Sequence, residues 1–246
     1  KTPIGIGTGL LTPIGTVATG TGPYGVAVHP TGRFAYVANF SAPTVQTYTI
    51  NQATGGLTSL ETDVTGTNPV RVAVDPKGRF AYVLNRGSAT VQTFTIDQST
   101  GGLTLLEADA TGSTPLELAV DPTGRFVYVA NSFSDTVQTY TIDQATGGLT
   151  SAGTTATGTR PTRVAVDPTG RFAYVTNLMS STIQSYTINQ TTGILTLVGT
   201  DATGTGPSGL AVDPTGRFVF ASTESSSTVE SFIINQSHKL NPTVRR

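Results

Sequence analysis

Short runs of alternating apolar and polar positions cover most of this chain. Between positions 70 and 110 they read as four strands: Val70 to Val74, Phe80 to Leu84, Thr90 to Ile96 and Leu103 to Ala110. β-Branched and aromatic residues fill them, as suits a pleated surface. In the third, Val91, Thr93 and Thr95 alternate with Gln92, Phe94 and Ile96. Turn residues separate the runs: Asp75-Pro76-Lys77-Gly78, the loop Asn85 to Ala89, and Asp97-Gln98-Ser99-Thr100-Gly101-Gly102. No window shows a 3.6-residue apolar period, so no helix is expected.

The same pattern is written five times. Pro-x-Gly-Arg-Phe recurs from Pro30, Pro76, Pro122, Pro168 and Pro214, always 46 residues apart, without insertion or deletion. A period of this size marks a repeat architecture. Four antiparallel strands per period match one propeller blade, and radial repetition limits open edges. The expected fold is therefore all-β: a five-bladed β-propeller of four-stranded antiparallel blades. It is read as one domain over 1–246, with repeats at 20–65, 66–111, 112–157, 158–203 and 204–246. Residues 1–19 keep the phase, since Leu11-Thr12 and Ala18-Thr19-Gly20 each lie 46 positions before Leu57-Thr58 and Val64-Thr65-Gly66. This segment reads as a spare fourth strand that pairs with Thr228 to Ile234 and closes the ring. After Ile234 the pattern is lost, and the tail, which includes His238, is out of register.

The run Tyr174-Val175-Thr176-Asn177 spells Y-V-T-N. Around it stands Pro-x-x-Val-Ala-Val-Asp-Pro-x-Gly-Arg-Phe-x-Tyr-Val-x-Asn, followed by Thr-Gly-x-Leu-Thr. This pattern resembles the YVTN repeat of lactonase-like β-propellers, and the resemblance covers all five units. It implies relatives among 6-phosphogluconolactonase-like enzymes, surface-layer proteins and periplasmic propellers. Such propellers commonly have seven blades, so five units depart from the family pattern.

Composition narrows the function. Charged residues are 12% of the chain and the formal net charge is −1, which leaves no basic footprint for nucleic acid. No apolar run is long enough to span a membrane. Cysteine is absent, so no disulfide framework is expected. The low-charge, Thr-rich surface points to an extracellular, cell-surface or periplasmic setting.

The repeated residues read as structural. Asp75, Asp121, Asp167 and Asp213 suit an Asp-Pro-x-Gly turn in which the carboxylate accepts backbone N–H groups. Copies in successive blades cannot converge on one substrate. The repeated Arg33, Arg79, Arg125, Arg171 and Arg217 are expected to stack between blades. His29, in the place of a turn Asp, has no nucleophile and acid arranged beside it as a triad requires.

The chemistry is expected on the loops that differ between units. The blade linkers and the loops after the second strand share one face, and they hold the aromatics outside the repeat: Tyr24, Phe40 and Phe133. Arg71, Arg86, Arg160 and Arg163 lie there too, with Glu117, Asp135 and Glu224. Two residues past each linker proline stand Gly25, Arg71, Glu117, Arg163 and Gly209, which reads as a ring around the channel. Bulk on three units and glycine on two predicts a notch walled by Tyr24, Phe40, Arg71, Arg86 and Glu224. The first reading is a non-catalytic binding or structural propeller. It would be a monomer whose partner is a small anionic or polyhydroxyl ligand, or a protein or surface, with no cofactor or metal. The ligand-binding set is Tyr24, Phe40, Arg71, Arg86, Glu117, Arg163 and Glu224. The alternative, from the resemblance, is a lactonase-like hydrolase of a sugar-acid lactone. It would use Glu117 (or Asp135) with Arg71 and Arg163.

Overall fold

The computed structural model describes residues 10–235. Five antiparallel sheets follow one another along the chain, and no helix occurs among the described residues. The first sheet runs β1 (Pro23–Val28), β2 (Phe34–Asn39), β3 (Thr44–Ile50) and β4 (Leu57–Val64). The second runs β5 (Pro69–Val74), β6 (Phe80–Asn85), β7 (Thr90–Ile96) and β8 (Leu103–Ala110). The third holds β9 (Pro115–Val120), β10 (Phe126–Asn131), β11 (Thr136–Ile142) and β12 (Leu149–Ala156). The fourth holds β13 (Pro161–Val166), β14 (Phe172–Asn177), β15 (Thr182–Ile188) and β16 (Leu195–Ala202). The fifth has three strands: β17 (Pro207–Val212), β18 (Phe218–Thr223) and β19 (Thr228–Ile233).

The arrangement is propeller-like. The first strands of successive sheets adjoin in the order β1, β5, β9, β13, β17, while the fourth strands diverge. The second, third and fourth sheets bury both faces against their neighbours and the two end sheets bury one, so the core is a series of inter-sheet layers. Between the first two sheets, Phe34, Tyr36 and Val45 pack on Val72, Val83, Phe94 and Leu103. The next two junctions repeat this chemistry with Phe80, Tyr82 and Val91, then Phe126, Tyr128 and Val137.

The turns behave as the repeat predicts. Asp75 Oδ1 accepts the N–H groups of Arg79 and Phe80 at 2.5 and 2.9 Å, and Asp121, Asp167 and Asp213 do the same. In the first unit His29 makes a different bond: its Nε2 donates to Gly78 O at 2.8 Å, while Nδ1 faces the Thr31 hydroxyl. Of the repeated arginines, Arg33, Arg79 and Arg125 bridge to the next sheet as expected, whereas Arg171 and Arg217 make no such bond among the described residues. Each of the five lies over its own phenylalanine, and Arg79 Nη1 also donates to Gln144 O of the next sheet at 2.6 Å.

The expected closure is not formed. Residues 10–19 are not a strand and do not pair with β19, so the edge of the fifth sheet is unpaired among the described residues. The segment lies instead against the first sheet, where Tyr48 Oη donates to Ala18 O at 2.9 Å. Exposure gives the consequence: Val26 is 68% exposed, whereas its counterparts Val72 and Leu118 are each 6%. The tail residues 236–246, His238 included, lie outside the described residues.

Candidate functional site

Each unit enters its first strand in one way. The residue before the linker proline has left-handed backbone: Gly22, Asn68, Thr114, Arg160 and Gly206, with φ from 51° to 74°. Such a conformation suits glycine but strains a β-branched residue such as Thr114 by about 1–3 kcal/mol. A one-residue register shift follows, between Pro69 and Arg71 and at the matching place in every unit. Bulges of this kind re-aim side chains. The strands thereby place Gly25, Arg71, Glu117, Arg163 and Gly209 at equivalent positions, opposite Ala38, Leu84, Ala130, Thr176 and Ser222.

Three of these side chains meet. Arg71 Nε donates to Glu117 Oε1 at 2.8 Å, and Arg163 Nε lies 3.2 Å from Glu117 Oε2. Arg71 Nη1 also donates to Val70 O, and Arg163 Nη1 to Thr162 O. Each guanidinium keeps an Nη2 without a protein partner among the described residues. Both arginines are partly exposed, at 21% and 29%, while the Glu117 side chain is 14% exposed. One carboxylate between two guanidinium groups leaves one positive charge in excess, an arrangement that favours an incoming anion or a developing oxyanion.

Aromatic side chains extend the group on one side. The Arg71 guanidinium lies 5.5 Å from the Tyr24 ring centroid, and Tyr24 lies 6.0 Å from Phe40. Asn68 Nδ2 fixes the Phe40 loop by donating to Phe40 O. The linkers and the loops after the second strands share a face, as expected: Arg86 N donates to Asn68 O and Glu224 N to Gly206 O. The side chains of Arg86 and Glu224 are exposed there and do not bond to the Arg71–Glu117–Arg163 group. Asp135 does not join it either, because its Oδ1 accepts the Arg160 N–H at 2.7 Å.

The glycines open no notch. A Cβ on Gly25 would sit 2.7 Å from Val70 O and 2.9 Å from Arg71 Cα, so this glycine lets β5 approach β1 closely. On Gly209 it would strike the Ser222 hydroxyl. Two contacts escaped the sequence reading. The Arg160 guanidinium stacks on Phe133 at 4.7 Å, and buried Thr162 Oγ1 donates to Pro207 O at 3.0 Å. The signal for both was present, since Phe133, Arg160 and Thr162 each depart from their counterparts in the other units.

Comparison with known proteins follows the same line. The family model described as lactonase, 7-bladed β-propeller, matches residues 12–166 and 150–246. No curated protein matches the chain. A Lactobacillus plantarum protein superposes with a TM-score of 0.80 at 23% identity, over 90% of this chain and 70% of that one. The periplasmic gluconolactonase PpgL of Pseudomonas aeruginosa gives 0.69 at 24% identity, over 77% of this chain and 56% of its own. A candidate 6-phosphogluconolactonase from Bacteroides uniformis gives 0.65 at 18%, over 90% and 83%. These structural likenesses show the fold, and the family model spans nearly the whole sequence. The chain belongs to the lactonase family of β-propellers.

Proposed function

We propose that this chain is a lactonase-like hydrolase of a sugar-acid lactone, working at the Arg71–Glu117–Arg163 group. The observation that carries the reading is the sharing of the Glu117 carboxylate by both Nε atoms, at 2.8 and 3.2 Å. That sharing fixes two guanidinium groups side by side with Nη2 donors to spare. In lactone hydrolysis water adds to the ring carbonyl carbon, and the carbonyl oxygen takes on negative charge. A guanidinium that is already oriented stabilises this charge without reorganising. Glu117 accepts the proton of the attacking water. The ring C–O bond then breaks, the ring oxygen takes up the proton, and a hydroxy acid forms. The same arginines receive the product carboxylate. Tyr24 and Phe40 supply an apolar wall beside Arg71 for the C–H face of a sugar.

Family membership supports this reading over the non-catalytic role expected first, as do a P. aeruginosa gluconolactonase and a B. uniformis candidate 6-phosphogluconolactonase among the structural neighbours. The test is hydrolysis of sugar-acid δ-lactones, with and without a phosphate, measured above the spontaneous rate. Turnover with a KM raised in Arg71→Ala is expected. No rate above background for any lactone would contradict the assignment.

A further inference from the structure

Among the described residues, the outer face of the fifth sheet is uncovered and that of the first is covered only by residues 10–19. On the fifth sheet Val229, Ile233 and Phe220 are 70%, 72% and 38% exposed. On the first sheet Val26 and Val28 are exposed, and Leu57 partly so. Scattered apolar residues are ordinary at a surface, but contiguous sheet faces mark interaction sites.

The internal junctions show what each face is built to meet. The phenylalanine of one sheet lies on a glycine in the turn between third and fourth strands of the next. Phe34 covers Gly101, Phe80 covers Gly147 and Phe126 covers Gly193, and a Cβ on any of these glycines would run into the ring. Beside each contact a tyrosine hydroxyl donates to the glycine carbonyl, at 3.0, 3.1 and 2.9 Å from Tyr36, Tyr82 and Tyr128. The fifth sheet presents the same arginine and phenylalanine, Arg217 and Phe218, with Phe220 in the tyrosine place, so the ring contact is kept and the hydroxyl bond is not. The first sheet presents the matching turn with Gly55. There Ile14 fills the place that a phenylalanine takes elsewhere. It fills it poorly: a cavity of about 470 Å³ remains under the segment, lined by Ile14, Val26, Val28, Ile50 and Leu57 among others.

The strand count is complementary as well. Among the described residues the fifth sheet has three strands, and residues 10–19 have the sequence phase of a fourth yet pair with no strand. Their C-terminal end already sits where a preceding sheet's fourth strand would end. Tyr48 Oη meets Ala18 O just as Tyr140 and Tyr186 meet Ala110 and Ala156.

We propose that these faces are two halves of one further blade junction, formed head to tail between two copies of the chain. The fifth sheet of one copy packs on the first sheet of the next. Residues 10–19 of the second copy pair with β19 of the first and complete its sheet. Phe218 then takes the Gly55 site and displaces Ile14. This is a heterologous contact joined by strand addition.

The chain has no cysteine, so the contact can be trapped cleanly. In the first sheet Thr49 pairs with Thr58, which places Thr12 opposite Ile233 in the completed sheet. Oxidising a mixture of the Thr12→Cys and Ile233→Cys chains should give a mixed disulfide dimer. Sedimentation of the parent across a micromolar series should show association that Val229→Lys weakens about tenfold, equivalent to about 1.4 kcal/mol. Because the Val229 side chain is exposed in the single chain, its melting temperature should not move. A parent that stays monomeric throughout would overturn the proposal. A single chain carrying both Thr12→Cys and Ile233→Cys that oxidises only within itself would mean closure in cis and would overturn it as well. Association untouched by Val229→Lys would place the contact elsewhere and overturn it too.

Discussion

Asp63 and Glu61 share one side of β4, and burial pushes the Asp63 carboxyl up from 3.8 to about 6, with the Glu61 charge acting in the same direction. Glu61 Oε1 is engaged by Leu103 N–H at 2.8 Å, while Asp63 Oδ2 has no hydrogen-bond partner. Asp109 repeats the arrangement beside Glu107, and its carboxyl is raised for the same reasons. A raised carboxylate pKa in the fold means that the neutral form is favoured there. Its contribution is fully present below the unfolded-state value and is lost as pH climbs from 3.8 through about 6. Asp63→Asn should therefore melt close to the parent in acid and above it at neutral pH. Thermal melts across that range check it, and a gap that fails to grow with pH would contradict the assignment. The residues of the candidate site were legible in the sequence for a simple reason. Arg71, Glu117 and Arg163 break an otherwise faithful repeat, and the repeat itself fixes them at equivalent places. The two glycines of the same ring were misread, because a missing side chain means an open notch or a close backbone approach depending on the neighbour. For Gly25 that neighbour is Val70 O.

Strands were the most legible level. The run Phe80 to Leu84 falls within the observed β6, and Thr90–Ile96 and Leu103–Ala110 agree end to end. Local pattern suffices there, because each run is bounded by turn residues whose carboxylates or amides bond their own backbone. Pairing between elements was less legible. Residues 10–19 have the phase of a fourth strand, but pairing also requires a partner edge within reach, and no sequence period encodes that. The strength of the internal junctions can be measured directly. Phe80 is 5% exposed and lies on Gly147, while Tyr82 in the same strand donates to Gly147 O at 3.1 Å. Phe80→Ala should cost about 3–5 kcal/mol through lost burial and the cavity left behind. Tyr82→Phe, which removes the hydroxyl alone, should cost about 1 kcal/mol. Urea denaturation of the two variants gives both figures, and equal losses would mean that the ring contact is not the main cement of the junction.

At the scale of the molecule, a propeller-like series of sheets brings its first strands side by side. Three consecutive units each supply one side chain of the Arg71–Glu117–Arg163 group, and no single unit holds it. This is how a repeat of near-identical blades can carry chemistry: sameness builds the scaffold, and departures from it build the site. It also explains why Asp135, which looked equivalent to Glu117 as an acid in the sequence, lies apart from the site. It belongs to a loop and caps Arg160 N at 2.7 Å. The most direct test of the account is kcat/KM for lactone hydrolysis by Glu117→Gln and by Asp135→Asn, with melting curves to confirm that both fold. The account predicts a loss of about 10²-fold or more for Glu117→Gln, in the range of a removed general base, and parent-like rates for Asp135→Asn. A folded Glu117→Gln chain that hydrolyses lactones as fast as the parent would contradict it.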